Sequence, residues 1–284
     1  MAQLVQMRQR IKTIETIKKV TNAMRLISMS SHTKMQAKRK ILNHYTETIK
    51  NLFYKLRKST PSWRNRILMP NPELPQKTLF ILIGSQKGLC GNFSSALFSY
   101  FTNNVEKDQY QNATLVAIGK KATDYVRGLK GIKVNTKHEK ISINQIEPIS
   151  TAIISMIMDT DTPFTSVVIF SNKIKNFFIQ KPSSTQLIPL GQESITVEPR
   201  INEPYVWEQP PEELLGYLSH ELLHTMVYNL LFESLIAEQA ARFISMDNST
   251  RNAQTILDTT KLAYNKLRQM KITRELTEIT GALH

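Results

Sequence analysis

Glycine and proline are absent from both ends of the chain. All 12 prolines lie between Pro61 and Pro211, residues 1–60 contain no glycine, and residues 217–280 contain none either. Proline interrupts helical hydrogen bonding, and glycine costs about 1 kcal/mol in a helix interior. Two long stretches without either residue therefore predict two very long helices around a punctuated middle. A shaft with a head of this kind usually acts on other subunits.

Cysteine and long apolar runs are also scarce. The single cysteine, Cys90, excludes an internal disulfide and suits a reducing compartment. No run of 18 or more apolar residues occurs, so the sequence predicts no membrane-spanning helix. The first residues lack the apolar core of a secretion signal, and we expect a cytoplasmic protein.

Acidic residues are nearly missing from the first 60 positions. Most of the net charge of +14 belongs to this segment, which contains 14 lysines and arginines and only two acidic residues, Glu15 and Glu47. A helix with charge of one sign indicates an acidic partner, which is a protein surface, a nucleic acid or an anionic lipid. Binding to nucleic acid needs only clustered basic residues, but the segment has few aromatic residues for base stacking. We favour an acidic protein and keep a basic coiled coil on nucleic acid as an alternative.

The terminal segments carry narrow apolar stripes, as two paired helices require. One clean heptad-like run consists of Leu42, Tyr45, Ile49, Leu52 and Leu56. The C-terminal segment opens with Pro210-Pro211 and two glutamates, a favourable helix start. The ends must pair antiparallel if the middle starts and finishes on one side.

The middle alternates short apolar runs with helical patterns. Residues 78–83, 114–118 and 166–170 read as buried strands, and 92–107, 119–127 and 144–158 as helices. Shorter strand-like pieces cover 177–179 and 186–188. We predict an α/β fold, in which a long antiparallel two-helix coiled coil joins a central Rossmann-like domain. The expected division is an N-terminal helix at 1–60, a linker at 61–76, the α/β domain at 77–207 and a C-terminal helix at 208–284.

Two patterns point to chemistry. His220, Glu221 and His224 form H-E-x-x-H, which on a helix can bind zinc and supply a base. A zinc hydrolase also needs a further ligand after the chain reverses, and this helix runs on without glycine or proline, so surface histidines are the simpler interpretation. The glycine-rich stretch 84–92 follows a strand but fits neither the phosphate-loop nor the dinucleotide pattern, so a tight turn is favoured. The sequence offers no convincing active site and indicates no cofactor.

Several ordered motifs resemble one family. Lys18-Lys19-Val20-Thr21-Asn22-Ala23-Met24 resembles a K-I-T-x-A-M element, Gly88-Leu89-Cys90-Gly91 a G-L-C-G turn, and Glu238-Gln239-Ala240-Ala241-Arg242 an E-Q-A-A-R element. Tyr264-Asn265-Lys266 with Arg268-Gln269 resembles Y-N-K-x-R-Q, and residues 272–279 resemble I-T-Q-E-L-T-E-I. Nearly the whole chain thus resembles the gamma subunit, the central rotor shaft, of F-type ATP synthases.

The resemblance implies a non-catalytic coupling role. In that family the terminal helices stand inside a hexamer of three alpha and three beta subunits, and the head sits on epsilon and the c-ring. Rotation couples proton or sodium flow to ATP synthesis, with all bond chemistry in beta. A rotor of a specialised F1-like ATPase that does not make ATP is the alternative. Plastid-type redox cysteines and a transit peptide are lacking, which favours a bacterial-type subunit, peripheral on the cytoplasmic face of the cell membrane.

The same resemblance carries site residues onto this chain. It implies that the alpha/beta ring is contacted by Arg242, Arg268, Gln269, Thr273 and Glu275, and that acidic loops meet Lys18, Lys19 and Arg25. It also implies that a head loop near the base contains Gln86, Lys87, Gly88, Leu89, Cys90 and Gly91. This chain departs from the family at four points. Gln86-Lys87 replaces a usual D-R, and the K-M that follows the A-M element comes late, as Lys34-Met35, which suggests an insertion or drift in residues 28–33. Asp247 stands where lysine is common, and Arg274 replaces a usual glutamine.

Overall fold

A computed structural model describes residues 2–65, 68–70, 77–158, 164–190 and 207–281. The elements in chain order are α1 (Ala2–Ser59), β1 (Thr78–Ile83), α2 (Phe93–Asn104), a short 3-10 helix (Lys107–Tyr110), β2 (Ala113–Ile118), α3 (Lys120–Val126), β3 (Lys133–His138), α4 (Ile143–Met158), β4 (Ser166–Asn176), β5 (Ile179–Ile188) and α5 (Pro211–Gly281). The two long helices and the α/β middle predicted from the sequence are therefore confirmed. The predicted linker at 61–76 lies partly outside the described residues.

Residue contacts divide the chain into two compact units, and both boundaries fall inside long helices. The helical unit comprises Met1–Ser30 and Arg242–His284, and the sheet unit comprises Ser31–Ala241. No helix in the described ranges has a stretch long and apolar enough to cross a membrane.

The sheet unit is built on five strands in the order β3-β2-β1-β4-β5. β1 pairs in parallel with β2 and β4, β2 pairs in parallel with β3, and β4 and β5 form an antiparallel hairpin. The continuous apolar runs of β1 and β2 are buried almost throughout, as central parallel strands are when both faces are covered. Alternate residues of β1 serve two cores: Ile81 lies in the core that contains α4, and Phe80 in the core that contains α2 and α3.

The edges of the sheet are where sequence and structure differ. β3 was not predicted, because five of its six residues are polar and the strand alternates between exposed and half-buried positions. The strand-like piece at 177–179 was wrong in its first two residues: β4 ends at Asn176 and β5 begins at Ile179. Phe177 and Phe178 form the turn between them, where the Asn176 side chain accepts a hydrogen bond from the Phe178 amide at 3.0 Å.

Candidate partner-contact sites

The helical unit is an antiparallel pair joined by polar contacts. As residue numbers rise along α1, those of their α5 partners fall: Glu15 pairs with Lys261, Lys18 with Gln254, Thr21 with Thr250 and Arg25 with Asp247. The apolar seam is narrow, with Ile14, Ala253 and Leu257 as its buried cluster. The antiparallel pairing predicted from the sequence is confirmed within this unit.

Asp247 contacts two arginines. Its two carboxylate oxygens lie 2.8 Å from Arg25 and 2.9 Å from Arg251. The hydrogen bond from Arg25, with the charges of both arginines, lowers the pKa of Asp247 below its ordinary value. The aspartate that departs from the family pattern thus has a structural partner, which the sequence did not reveal because the two residues are 222 positions apart.

Three basic residues predicted to meet acidic loops differ in their availability. Arg25 is tied to Asp247, and Lys18 donates a hydrogen bond to the side chain of Gln254. Lys19 is exposed. Contact with an external acidic loop stays a prediction for all three, and Lys19 is the best presented.

The surface of the helical unit carries many apolar side chains. On α1 the exposed fractions reach 66% for Val5, 52% for Val20 and 65% for Ile27, and on α5 they reach 64% for Leu262 and 68% for Met270. Exposed apolar side chains thus recur along both helices, and where such residues form a continuous patch they mark an interaction surface. These side chains are available for contact with other proteins.

The C-terminal turns of α5 hold four of the predicted ring contacts. Arg268, Gln269, Thr273 and Glu275 are all exposed. Gln269 and Thr273, four residues apart on one helix face, line a shallow groove with Met270. Glu275 lies 3.4 Å from Lys271 in an exposed pair within the helix. These side chains are presented for external contact, whereas Arg242 is only 5% exposed.

The loop after β1 is held in a specific conformation. Leu89 and Gly91 both have positive φ, at 64° and 60°. Between them Cys90 is buried, and with Phe93 it packs against Ala237 and Ala241 of α5. Gly88 and Leu89 are exposed. The G-L-C-G turn and the E-Q-A-A-R element are thus packed together, although they lie far apart in the sequence.

Glu238 fixes this loop from α5, and the sequence did not predict its role. Its buried carboxylate accepts hydrogen bonds from the backbone amides of Gln86 at 2.9 Å and Lys87 at 3.4 Å. The Gln86 side chain in turn accepts a hydrogen bond from the Ile141 amide at 2.9 Å. A charged residue between the apolar Ile236-Ala237 and Ala240-Ala241 was the available signal.

The amides of this loop are not free to bind a phosphate. In α/β folds, backbone amides between a strand and the next helix often hold a phosphate. Here the amides of Gln86 and Lys87 already hold the carboxylate of Glu238. The loop therefore binds another part of its own chain, in place of an external anion.

The H-E-x-x-H residues contact different elements. The Glu221 carboxylate accepts hydrogen bonds from the Tyr45 hydroxyl at 2.9 Å and from Thr225 at 3.3 Å. His224 lies 3.1 Å from the Ser150 hydroxyl of α4, and His220 is exposed. Within the described part of the chain, no group of three or more His, Cys, Asp or Glu side chains is arranged to hold a metal ion.

Comparison with known families and sequences gives matches along the whole chain. A family model described as ATP synthase matches residues 3–284. The ATP synthase gamma chain of Actinobacillus succinogenes is 29% identical over 289 aligned residues, covering 99% of this chain and 98% of that protein. The gamma chain of Psychrobacter cryohalolentis is 26% identical over 289 residues, with the same coverage.

Solved structures show a similar fold. A chain of the Euglena gracilis mitochondrial ATP synthase, in its OSCP/F1/c-ring structure, has a TM-score of 0.69 at 15% identity, covering 99% of this chain and 94% of that chain. A chain from the central stalk and c-ring structure of the Tetrahymena thermophila mitochondrial ATP synthase has a TM-score of 0.56 at 18% identity, covering 81% and 98%. At these identities the likeness concerns the fold alone.

Proposed function

Because the chain belongs to the ATP synthase family, whose model matches residues 3–284, we propose that it carries torque inside a rotary F1 motor. Within the family it is a central-stalk subunit of the gamma type, which has a structural and coupling role. The torque passes between a proton- or sodium-driven ring in the membrane and a catalytic hexamer of three alpha and three beta subunits.

The observation that carries this proposal is the exposed apolar surface of the helical unit. Val5, Val20 and Ile27 on α1, and Leu262 and Met270 on α5, are each more than half exposed. Burying one such side chain fully is worth about 1.5–3 kcal/mol. A surrounding ring of subunits covers such a surface, and the basic α1 adds attraction for acidic loops.

The coupling follows from differential binding. The paired helices present different side chains around their circumference, with basic residues concentrated on α1. Each catalytic subunit of the ring would therefore meet a different surface, and the shaft shifts each one towards the conformation that fits it. Bond chemistry stays in beta, and this chain supplies the changing surface.

The residues assigned to ring contact divide by their availability. Arg268, Gln269, Thr273 and Glu275 are exposed and suit direct contact. Lys19 is exposed and can meet an acidic loop without any rearrangement. Lys18 and Arg25 are already bonded to α5 and Arg242 is buried, so these three would contribute mainly through contacts within this chain. We keep the proposed functional division into 1–60, 61–76, 77–207 and 208–284.

We propose that the other two partners, epsilon and the c-ring, contact the α/β domain. The loop Gln86–Gly91 would lie towards epsilon and the c-ring, with Leu89 as its exposed apolar residue at 55% exposure. Bacterial gamma chains among the relatives support a place on the cytoplasmic face of a bacterial membrane, peripheral to it.

The test is a combined substitution in the assembled complex. Replacing Arg268, Gln269, Thr273 and Glu275 by alanine should lower the number of ions pumped per ATP hydrolysed, while nucleotide binding by the ring stays unchanged. A matched control replaces Arg127 and Glu139 by alanine, an exposed ion pair of the sheet unit at 2.9 Å. Native mass spectrometry should show one copy with three each of two larger subunits. Unchanged pumping and rotation after the combined change would refute the assigned contacts, and absence of the ring would refute the rotor role.

A further inference from the structure

The tip of the β4–β5 hairpin exposes aromatic and aliphatic surface in the sheet unit. Phe178 is 74% exposed and Ile179 is 41% exposed. Neither residue belongs to the motifs of the family resemblance or to the contacts proposed above. The hairpin belongs to the sheet unit, so its exposed apolar residues are separate from those of the helical unit, which the proposed ring would cover.

The tip is built to hold Phe178 outward. Asn176 accepts a hydrogen bond from the Phe178 amide at 3.0 Å, and the Gln180 side chain donates to the Phe177 carbonyl at 2.6 Å. The Phe177 ring packs edge-on against His32 of α1 at 4.9 Å and against Phe178 at 5.2 Å. A preformed turn loses little conformational freedom on binding, which favours its use as a contact.

The hairpin and the part of α1 beside it carry charge of one sign, while α5, which packs against Ile174 of β4, brings Glu233 and Glu238, which are paired with Arg39 and with the Gln86 amide. Residues 164–190 contain no aspartate or glutamate, and neither does α1 from Ser31 to Thr46. Lys173 and Lys181 lie directly opposite each other across the hairpin, and Lys175 is exposed beside them. Like charges in directly opposed positions repel. Among the ion pairs of the described residues, none involves these three lysines.

We propose that the β4–β5 hairpin tip is a docking site for a carboxylate-rich segment of another protein, with Phe178 as the apolar anchor and Lys173 and Lys181 as the charged clamp. An acidic segment relieves the lysine repulsion that a neutral partner leaves in place. Aromatic residues, phenylalanine among them, are enriched at protein–protein interfaces. The site belongs to the sheet unit and does not depend on the rotor role.

A protein segment fits this surface better than a bilayer does. Phe177 is already packed on His32, so only Phe178 and part of Ile179 remain for insertion. A whole myristoyl chain gives only marginal membrane binding, and one benzyl side chain buries far less apolar area.

The experiment places a photoreactive residue at the tip of the full chain. Phe178 is replaced by p-benzoylphenylalanine, and the complex that contains the chain is purified from its own host and irradiated. We expect mass spectrometry to identify a crosslink to a segment of another subunit that is rich in aspartate and glutamate. In a second measurement on the unsubstituted chain, carbodiimide coupling should join Lys173 or Lys181 to a carboxylate of that segment.

Charge reversal supplies the control. Lys173→Glu with Lys181→Glu should lower the crosslink yield about tenfold at low salt. Lys130→Glu with Lys133→Glu changes the net charge equally at exposed positions on and before β3, and should leave the yield within about twofold. Crosslinks to lipid alone, to a segment without acidic residues, or to no other molecule would each overturn the proposal. Vesicles containing phosphatidylglycerol serve as the lipid probe, and binding that depends on Phe178 there would favour a membrane contact instead.

Discussion

Glu238 and Gln86 lie 152 positions apart in the chain, yet the Glu238 carboxylate accepts a hydrogen bond from the Gln86 backbone amide at 2.9 Å. This contact holds the loop between β1 and α2 against α5 in the sheet unit. It joins the loop that carries the G-L-C-G turn to the E-Q-A-A-R element, two of the motifs on which the family resemblance rests.

Removing this carboxylate should loosen the loop. Glu238→Ala leaves the Gln86 and Lys87 amides without their acceptor, and we expect a loss of about 2–3 kcal/mol in the free energy of unfolding. Glu238→Gln keeps one acceptor oxygen and should cost about 1 kcal/mol. Hydrogen exchange of the peptide that contains both amides gives the local readout.

The matched control for this change is Glu233→Ala. Glu233 lies on the same helix and pairs with Arg39 at 2.8 Å, away from the loop. Its loss should leave exchange at Gln86 and Lys87 unchanged. Equal protection of these amides in the Glu238→Ala and Glu233→Ala variants would show that the Glu238 carboxylate does not stabilise the loop.

Gly119 and Gly131 share a φ of 90° but differ in their surroundings. A Cβ at Gly119 would lie 2.5 Å from the carbonyl oxygen of Gly84, whereas one at Gly131 meets nothing within 4 Å. Gly131→Ala should therefore cost only the backbone strain, about 1–2 kcal/mol. Gly119→Ala adds a clash with backbone and should cost about 3–5 kcal/mol. Denaturant unfolding of the two variants tests this, and similar losses would show that space at Gly119 is not limiting.

The Arg25–Asp247 pair should be visible as a coupling energy. A double-mutant cycle with Arg25→Ala and Asp247→Ala should give about 1 kcal/mol, because both side chains are only partly exposed. The lowered pKa of Asp247 means that its contribution is present above the ordinary value for aspartate and is lost as the pH falls through the lowered value. Thermal unfolding between pH 5 and pH 2 should show this loss, and Asp247→Asn should reduce it. An identical acid profile in that variant would rule the pair out as its source.

His32 predicts a second pH dependence, in the sheet unit. Burial, and then the charge of Arg39, lower the pKa of His32 below its ordinary value. The unfolded chain therefore binds a proton at a higher pH than the folded one does, so stability falls as the pH drops below about 6.5. His32→Gln should flatten part of the stability change between pH 7.5 and pH 5.5. His44→Gln, at an exposed position on the same helix, should leave the slope as it is.

The sequence by itself determined the long helices and the central strands. The lack of glycine and proline allowed α1 and residues 217–280 of α5 to be predicted as helices, and continuous apolar runs allowed β1, β2 and the start of β4 to be predicted as strands. Both signals are local, because propensity and burial act over neighbouring residues. The family motifs likewise identified the class of subunit from short segments.

Only the tertiary structure decided which distant groups meet. The mostly polar strand β3 depends on pairing with β2, and the turn at Phe177 and Phe178 depends on where β4 leaves the sheet. In the sequence, Asp247 and Glu238 look like ordinary acidic residues of a helix. In the fold they lie within hydrogen-bonding distance of Arg25 and of the Gln86 amide. Such contacts form between residues more than a hundred positions apart, and no local pattern encodes them.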